Sequence, residues 1–298
     1  MDTYIEIKFY SSNKTSADEI FNKVFNEISR IENKFSIYKE DSIVTKINQY
    51  KNYKIDEETY NLISDAIFVS SMTNGAFDIT ILPLTQLWNI NSQQNIVPSE
   101  KNILEYKNYV DYKKIKLKQE NNEYFVKLLP PLKGIDLGGI AKGFAIKEIT
   151  KILTHYGIKK FLINTGGDIY CSNNKIWKIG IQHPRKPFGE VMAILKLKNV
   201  SICTSGDYER FFMKNNVRYH HILNPKTGSP AKKSVSVTIV TKDPVLSDAL
   251  STGIFVTGYD INMLNKLRSQ IGLLEYIIID EHYNVFKSRQ FANLKIHL

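Results

Sequence analysis

Cysteine is nearly absent. Cys171 and Cys203 are the only two among 298 residues. They stand in no C-x-x-C pair and beside no metal-like neighbours, so neither a zinc ribbon nor a dithiol redox centre follows from them. Their spacing does not point to a disulfide, which leaves two buried or half-buried thiols as the plain reading. Also missing is an apolar run of about eighteen residues, so no segment reads as a membrane-spanning helix. No basic region followed by an apolar stretch opens the chain. It starts MDTYIEIKFYSS, which alternates like a strand, so no signal peptide is expected and the chain, as read, stays where it is made. Blocks of five basic residues and zinc-finger spacings are lacking too, although the net charge is +10 and the pI about 9.3. The lysines are scattered among Asn, Glu and Tyr. Nucleic-acid binding therefore has only total charge behind it and is not expected; the same surplus suits an anionic small molecule or an acidic partner protein.

What is present is a globular composition, 43% hydrophobic and 23% charged. In SADEIFNKVFNEISRIENKFS, apolar residues at Ile20, Phe21, Val24, Phe25, Ile28 and Ile31 predict a helix, with Ser16 and Glu19 as a capping box. A second helix is predicted from Asp56 to Thr73, ending at Asn74-Gly75. A third follows Ile140 and ends at Tyr156-Gly157. Further helices are expected in LSDALSTGIFVTG and INMLNKLRSQIG, and strands in KKFLIN, IWKIGIQH, VMAILKLK, SVSVTIV and LEYIIID. The polar stretch from Asn91 to Asn122 has no Pro/Gly/Ser tract and reads as an excursion, not a linker. No regular βαβ period or internal repeat is visible. The expected fold is α+β: one domain over residues 1–298, with a mixed, largely antiparallel sheet, flanking helices and a ligand cleft between its parts.

Several short stretches can carry chemistry, each beside a plainer alternative. In IDLGGIAKGFAI (Ile135 to Ile146), glycines at a strand-to-helix bend let backbone approach a ligand, and a helix start offers N–H groups to phosphate. Lys142 adds charge, and Asp136 can hold a polar group or a metal. The pattern is neither the dinucleotide-binding nor the P-loop motif, and an ordinary turn with an incidental lysine explains it as well. In SDALSTG, Asp248 and Thr252 share a helix face and can offer oxygen to Mg²⁺; capping and back-bonding are the alternative. In YHHILNPKTGSP, His220 and His221 precede a rigid turn, as proton carrier and neighbour or as two ordinary strand residues. In CTSGDYERFF, residues Thr204 to Asp207 read as a polar turn. A Ser205–His221–Asp248 hydrolase can be drawn, but no G-x-S-x-G elbow supports it. In NGAFDITILPLTQLW, Phe77 can stack on a flat heterocycle with Asp78 accepting its N–H groups, or both can be core and turn cap. Tyr38 in FSIYKEDS is a stacking ring or a loop residue.

Taken in order, FSIYKEDSIVTKIN, GAFDITILPLTQLW, GIDLGGIAKGFA, INTGGDIY followed by WKIGIQHP, TSGDYERFF, YHHILNPKTGSP and SDALSTGIFVTG resemble the ApbE-type FAD:protein FMN transferases, over nearly the whole chain. The resemblance implies an enzyme that takes FAD as substrate, with Mg²⁺ at the diphosphate. It would transfer FMN to a threonine or serine hydroxyl of an acceptor flavoprotein subunit or domain and release AMP. It implies that Met1, Tyr38, Ala76, Phe77, Asp78, Asp136, Lys142 and Ile222 contact FAD. The Gly139 carbonyl, Asp248 and Thr252 would hold Mg²⁺. His221, Asp248 and Lys142 would serve the reaction, His221 or a carboxylate near the metal being the base. Rival readings are an FAD pyrophosphatase that gives FMN and AMP, and an FAD-binding protein without catalysis. Many relatives are exported lipoproteins, so a periplasmic or lipid-anchored location is implied if a leader was removed. Gly253 stands where relatives more usually have alanine, a substitution expected to weaken the helix slightly.

Overall fold

The computed structural model describes residues 3–11, 14–92 and 94–298, with side chains from residue 17 onward in the first helix. From the N-terminus the elements are β1 (Ile5–Phe9), α1 (Lys14–Phe35), α2 (Ile43–Tyr50), β2 (Asn52–Ile55), α3 (Glu57–Met72), α4 (Leu82–Trp88), α5 (Glu100–Lys107), β3 (Ile115–Glu120) and β4 (Glu123–Leu128). Then come α6 (Ala141–His155), β5 (Phe161–Thr165), β6 (Asp168–Cys171), β7 (Trp177–Gln182), β8 (Val191–Leu197) and β9 (Val200–Gly206). The chain continues through β10 (Phe211–Lys214), β11 (Val217–His220), β12 (Ser234–Thr241), α7 (Pro244–Thr257), α8 (Ile261–Ile271), β13 (Glu275–Asp280) and β14 (Val285–Lys287). Among the described residues no helix is long and apolar enough to cross a membrane.

The α+β class expected from the sequence is what the chain adopts. Seven strands form the main sheet in the order β1-β5-β6-β9-β12-β13-β14. Each of its described pairings is antiparallel. The smaller sheets are the hairpins β7-β8 and β10-β11 and the β3-β4 hairpin extended by β2.

Local chemistry sets the element ends. Asp56 caps α3 by accepting from the Thr59 amide, and Asn74 and Gly75 stop it with φ of 51° and 76°. The first helix begins at Lys14, two residues before the expected cap Ser16, whose side chain lies outside the described residues. A correction falls on Thr204 to Gly206. They read as a polar turn, but they are the end of β9, paired with Thr238, Val237 and Ser236 of β12. Their hydroxyls misled the reading, because polar side chains here face polar partners inside the protein: the Thr204 and Thr238 hydroxyls lie 2.9 Å apart.

The main sheet is covered on both faces. One face meets α7 and the helices around it through Val237, Ile239, Tyr276 and Ile278. The other meets the β7-β8 hairpin through Val240, Ile277 and Ile279. This is why all eight residues of β12 are buried although its sequence alternates apolar with polar. A bulge between Ser234 and Ser236 breaks that alternation and sends Val235 to the hairpin side.

Helices α6 and α7 touch at a glycine. A Cβ on Gly143 would stand 2.1 Å from the Pro244 carbonyl oxygen and 2.9 Å from the Asp248 Cβ. Gly253 likewise admits α3 and its following loop: a Cβ there would lie 2.7 Å from a Thr73 methyl and 3.1 Å from the Phe77 Cβ. Its expected helix-weakening cost is therefore set against a close contact that alanine would crowd. Replacing Gly143 by alanine should cost about 1–3 kcal/mol through overpacking. Thermal unfolding should show a midpoint lowered by roughly 2–4 °C per kcal/mol. An unchanged midpoint would mean the two helices do not meet as described.

Candidate active site

The site is assembled where the bend before α6 meets α7. Asn48 fixes the start of the bend: its side chain accepts from the Ile135 amide at 2.7 Å and donates to the Ile135 carbonyl at 2.9 Å. The Asp136 amide donates to the Ile79 carbonyl at 2.7 Å, and its carboxylate accepts from the Gly138 amide at 2.8 Å. Burial raises the Asp136 carboxyl above the usual range, against the Gly138 hydrogen bond and the charge of Arg210. Gly139 lies against the Phe77 ring, 3.1 Å from where its Cβ would stand. The bend enters α6 through Ile140, which offers no side-chain cap. A helix start without a cap leaves amides in need of acceptors. The acceptor comes from another helix: Asp248 Oδ2 takes the Gly143 amide at 2.9 Å.

Lys142 lies between two carboxylates. Its ammonium is 3.2 Å from Asp248 Oδ1 and in direct contact with Asp168 Oδ2. Both carboxylates are buried. Burial disfavours the charged lysine, but the attraction of Asp168 and Asp248 prevails and holds Lys142 above its ordinary pKa. Asp168 moves up as well, through burial and the nearby charge of Asp248, with Lys142 opposing. Asp168 reaches the site from a β5-β6 turn in which Gly166 and Gly167 have φ of 65° and 100°. That left-handed pair lets β6 begin directly with the carboxylate.

Thr252 lies one helical turn beyond Asp248 on α7. Its hydroxyl is 3.3 Å from Ser205 Oγ, which is also 2.9 Å from Ser251 Oγ. Asp248, Thr252 and the bend's carbonyls supply only oxygen, the donor set of a hard divalent cation. One ammonium against two carboxylates also leaves the cluster with residual negative charge. The residues present thus suit such an ion.

The two histidines separate cleanly. His220 is buried: its Nε2 donates to the Ala231 carbonyl at 2.7 Å, and its Nδ1 accepts from the Ile222 amide at 3.3 Å. Both nitrogens are spent on the turn, with Ile222 buried beside them. His221 Nδ1 lies 3.3 Å from the Arg210 carbonyl. A carbonyl only accepts, so Nδ1 carries the proton and Nε2 is the basic nitrogen. Burial, then the charges of Arg210 and His220, hold His221 well below its ordinary pKa, so it is neutral near pH 7.

Other expected site residues are placed differently. Asp78 accepts from the Thr80 amide and hydroxyl at 2.8 and 2.7 Å and from the Tyr112 amide at 2.9 Å. It caps a turn, and Ala76 and Phe77 beside it are buried. Tyr38 is 83% exposed on the loop between α1 and α2. Met1 lies outside the described residues. The hydrolase arrangement is not formed: Ser205 is bonded to hydroxyls, His221 to a carbonyl, and Asp248 to Lys142 and Gly143.

The family profile described as "ApbE family" matches residues 1–274. The chain belongs to the ApbE family. An FAD:protein FMN transferase of Vibrio cholerae is 28% identical over 298 residues, covering 97% of this chain and 87% of the relative. One of Treponema pallidum is 30% identical, covering 87% of this chain and 77% of the relative. Among solved structures, the ApbE protein of Thermotoga maritima is 33% identical with a TM-score of 0.86, covering 99% of this chain and 100% of that one. The flavin transferase ApbE of Vibrio cholerae has a TM-score of 0.84 at 25% identity, covering 99% of this chain and 96% of that one.

Two groups in this cluster carried no assigned role from the sequence. Asp168 lies in the INTGGDIY motif, and its signal was a carboxylate directly after a glycine pair. Arg210, beside Asp136 and His221, had no signal beyond its place after the serine motif.

Lys142→Met should destabilise the protein by about 3 kcal/mol, because two buried carboxylates lose their counter-charge. The sign of the pH dependence follows from Asp168. A carboxyl raised in the folded state takes up a proton more readily folded than unfolded, so acid favours the fold. Urea unfolding should therefore show a larger penalty near pH 8 than near pH 5; a penalty independent of pH would contradict the charge account.

Proposed function

We propose that the protein transfers FMN from FAD to a threonine or serine hydroxyl of an acceptor flavoprotein, releasing AMP, with Mg²⁺ at the diphosphate. The observation that carries the reading is Lys142 held beside Asp248 at an uncapped helix start, with Thr252 one turn beyond Asp248 on α7. The relatives' shared name, FAD:protein FMN transferase, supports the substrate and the kind of acceptor. Asp248, Thr252 and the Gly139 carbonyl would hold the ion. Mg²⁺, when bound there, supplies positive charge to the diphosphate oxygens.

This chain's residues account for the other requirements. The acceptor oxygen attacks the phosphorus of the FMN half, and the bond from that phosphorus to the AMP oxygen breaks with its electron pair leaving on AMP. The hydroxyl proton must go to a base. His221 Nε2 suits that task, because its neighbour Nδ1 is pinned to the Arg210 carbonyl and the ring is neutral. Lys142 adds charge next to the diphosphate, kept as an ammonium by Asp168 and Asp248. Phe77 backs the glycine bend, with Ala76 and Asp78 beside it. Asp136 and Ile222 would line the same site, and Tyr38 and Met1 are further proposed contacts to FAD.

The experiment is AMP release from FAD with Mg²⁺, with and without an acceptor domain, while the acceptor mass is followed. AMP formed together with acceptor-bound FMN is the expected result. AMP and free FMN formed regardless of acceptor would replace the transferase by a pyrophosphatase. Intact FAD under both conditions would remove the catalytic reading. His221→Ala should lower the transfer rate by about 10²–10⁴. In the wild type the acid limb of kcat/KM should fall below pH ~6.5, the ordinary imidazole value, because only the neutral ring accepts a proton. An acid limb that persists unchanged in the variant would assign the base elsewhere.

A further inference from the structure

Between β9 and α7 runs a chain of hydroxyls whose direction is fixed by donor counting. Ser251 Oγ lies 2.8 Å from the Asp248 carbonyl, which can only accept, so the one Ser251 proton goes there. Ser251 Oγ must then accept from Ser205, 2.9 Å away. With its own proton spent, Ser205 must accept from Thr252 at 3.3 Å. The order is Thr252 to Ser205 to Ser251 to the backbone of Asp248. A helical threonine hydroxyl ordinarily turns back to the carbonyl four residues earlier. For Thr252 that carbonyl belongs to Asp248, whose oxygen already accepts from the Ser251 hydroxyl and from the helical amide of Thr252.

We infer that Ser205 is a positioning residue for the cation site, taking the Thr252 proton so that the Thr252 oxygen presents lone pairs to a divalent ion. The inference rests on the metal reading proposed above. A hydroxyl can bind a cation only through its lone pairs, with its hydrogen turned away. Ser205 is buried and Thr252 half-buried, so the proton is directed inward and the accepting side of the oxygen is left toward the exposed side. The same chain ends on the residue whose carboxylate faces Lys142, so one turn of α7 is tied to β9 at both proposed ligands. Second-sphere hydrogen bonds of this kind hold ligand orientation, and their loss typically costs 10–100-fold in metal affinity.

A neighbouring seam supplies a control. Farther along the same strand, the Ser247 hydroxyl donates to Ser201 Oγ at 2.8 Å. This pair also joins α7 to β9 but does not touch Thr252. If the hydroxyls only hold the helix to the sheet, Ser201→Ala and Ser205→Ala should behave alike.

The test titrates Mn²⁺ alone into the full chain, reading free ion by electron paramagnetic resonance, with Mg²⁺ as competitor. Ser205→Ala should weaken affinity by about 10–100-fold, and Ser205→Thr, which keeps the hydroxyl, should restore it. Ser201→Ala should bind like the wild type even where its unfolding midpoint drops. Turnover by Ser205→Ala should recover at saturating Mg²⁺, moving the apparent KM for the metal and not kcat. Should alanine impair folding, Ser205→Cys, similar in size but a weaker acceptor, should give an intermediate loss. Wild-type affinity in a folded Ser205 variant lacking the hydroxyl, or an equal loss in Ser201→Ala, overturns the inference and leaves the metal site standing. A wild-type protein that binds no divalent ion overturns the metal reading, and this inference with it.

Discussion

Two buried carboxylates share one ammonium, and much of the site's geometry depends on that arrangement. Asp168 comes from a turn in the main sheet, Asp248 from α7, and Lys142 from the first turn of α6. No two of them are close in sequence. Burying such charges is costly unless they are paired and hydrogen-bonded. Asp248 meets the second condition by accepting from the Gly143 amide. That bond requires the two helices to approach closely, and the missing Cβ of Gly143 permits it. One interaction thus fixes the distance between α6 and α7, supplies the acceptor the helix start lacks, and gathers charge at the end of a glycine bend.

The antiparallel sheet makes the convergence possible. Strands β6, β9 and β12 are neighbours, so the turn that carries Asp168 and the serines of β9 are both presented to α7. The polar residues on β9 are not solvent-facing exceptions. They meet serines one helical turn apart on α7, at Ser247 and Ser251, and place that helix by hydrogen bonds as well as by apolar packing. Opposite them, the β11 strand runs into His221, whose tautomer is set by the carbonyl of Arg210 just before β10. His221 and the carboxylate cluster are therefore held by separate hairpins and helices.

Much of this was legible in the sequence. Apolar periodicity placed α1, stop signals at Asn74-Gly75 and Tyr156-Gly157 ended α3 and α6, and the spacing of Asp248 and Thr252 put them on one helix face. The glycine bend before Lys142 is where the chain passes from an irregular segment into α6, as its composition implied. Other features were hidden for physical reasons. A hydroxyl-rich segment looks like a turn when its partners are far away in sequence, and the residues that pair with Thr204 to Gly206 lie on β12, some thirty positions on. Asp168 is 26 residues from the lysine it pairs with, and no local pattern encodes that contact. The difference between His220 and His221 lies in which carbonyl each ring meets across a turn, at Ala231 or at Arg210. Asp78 shows the reverse limit, since the plain reading of a turn cap describes its hydrogen bonds fully.

The central claim is that the Asp248 and Thr252 face of α7, next to Lys142, is where a divalent ion and the diphosphate meet. Crystals of the protein grown with FAD and Mn²⁺ would test it most directly through anomalous scattering from the metal. The account predicts a peak in contact with the Asp248 carboxylate and the Thr252 hydroxyl, with the dinucleotide's phosphates beside it. A peak on other ligands, or phosphates bound away from the bend before α6, would contradict it.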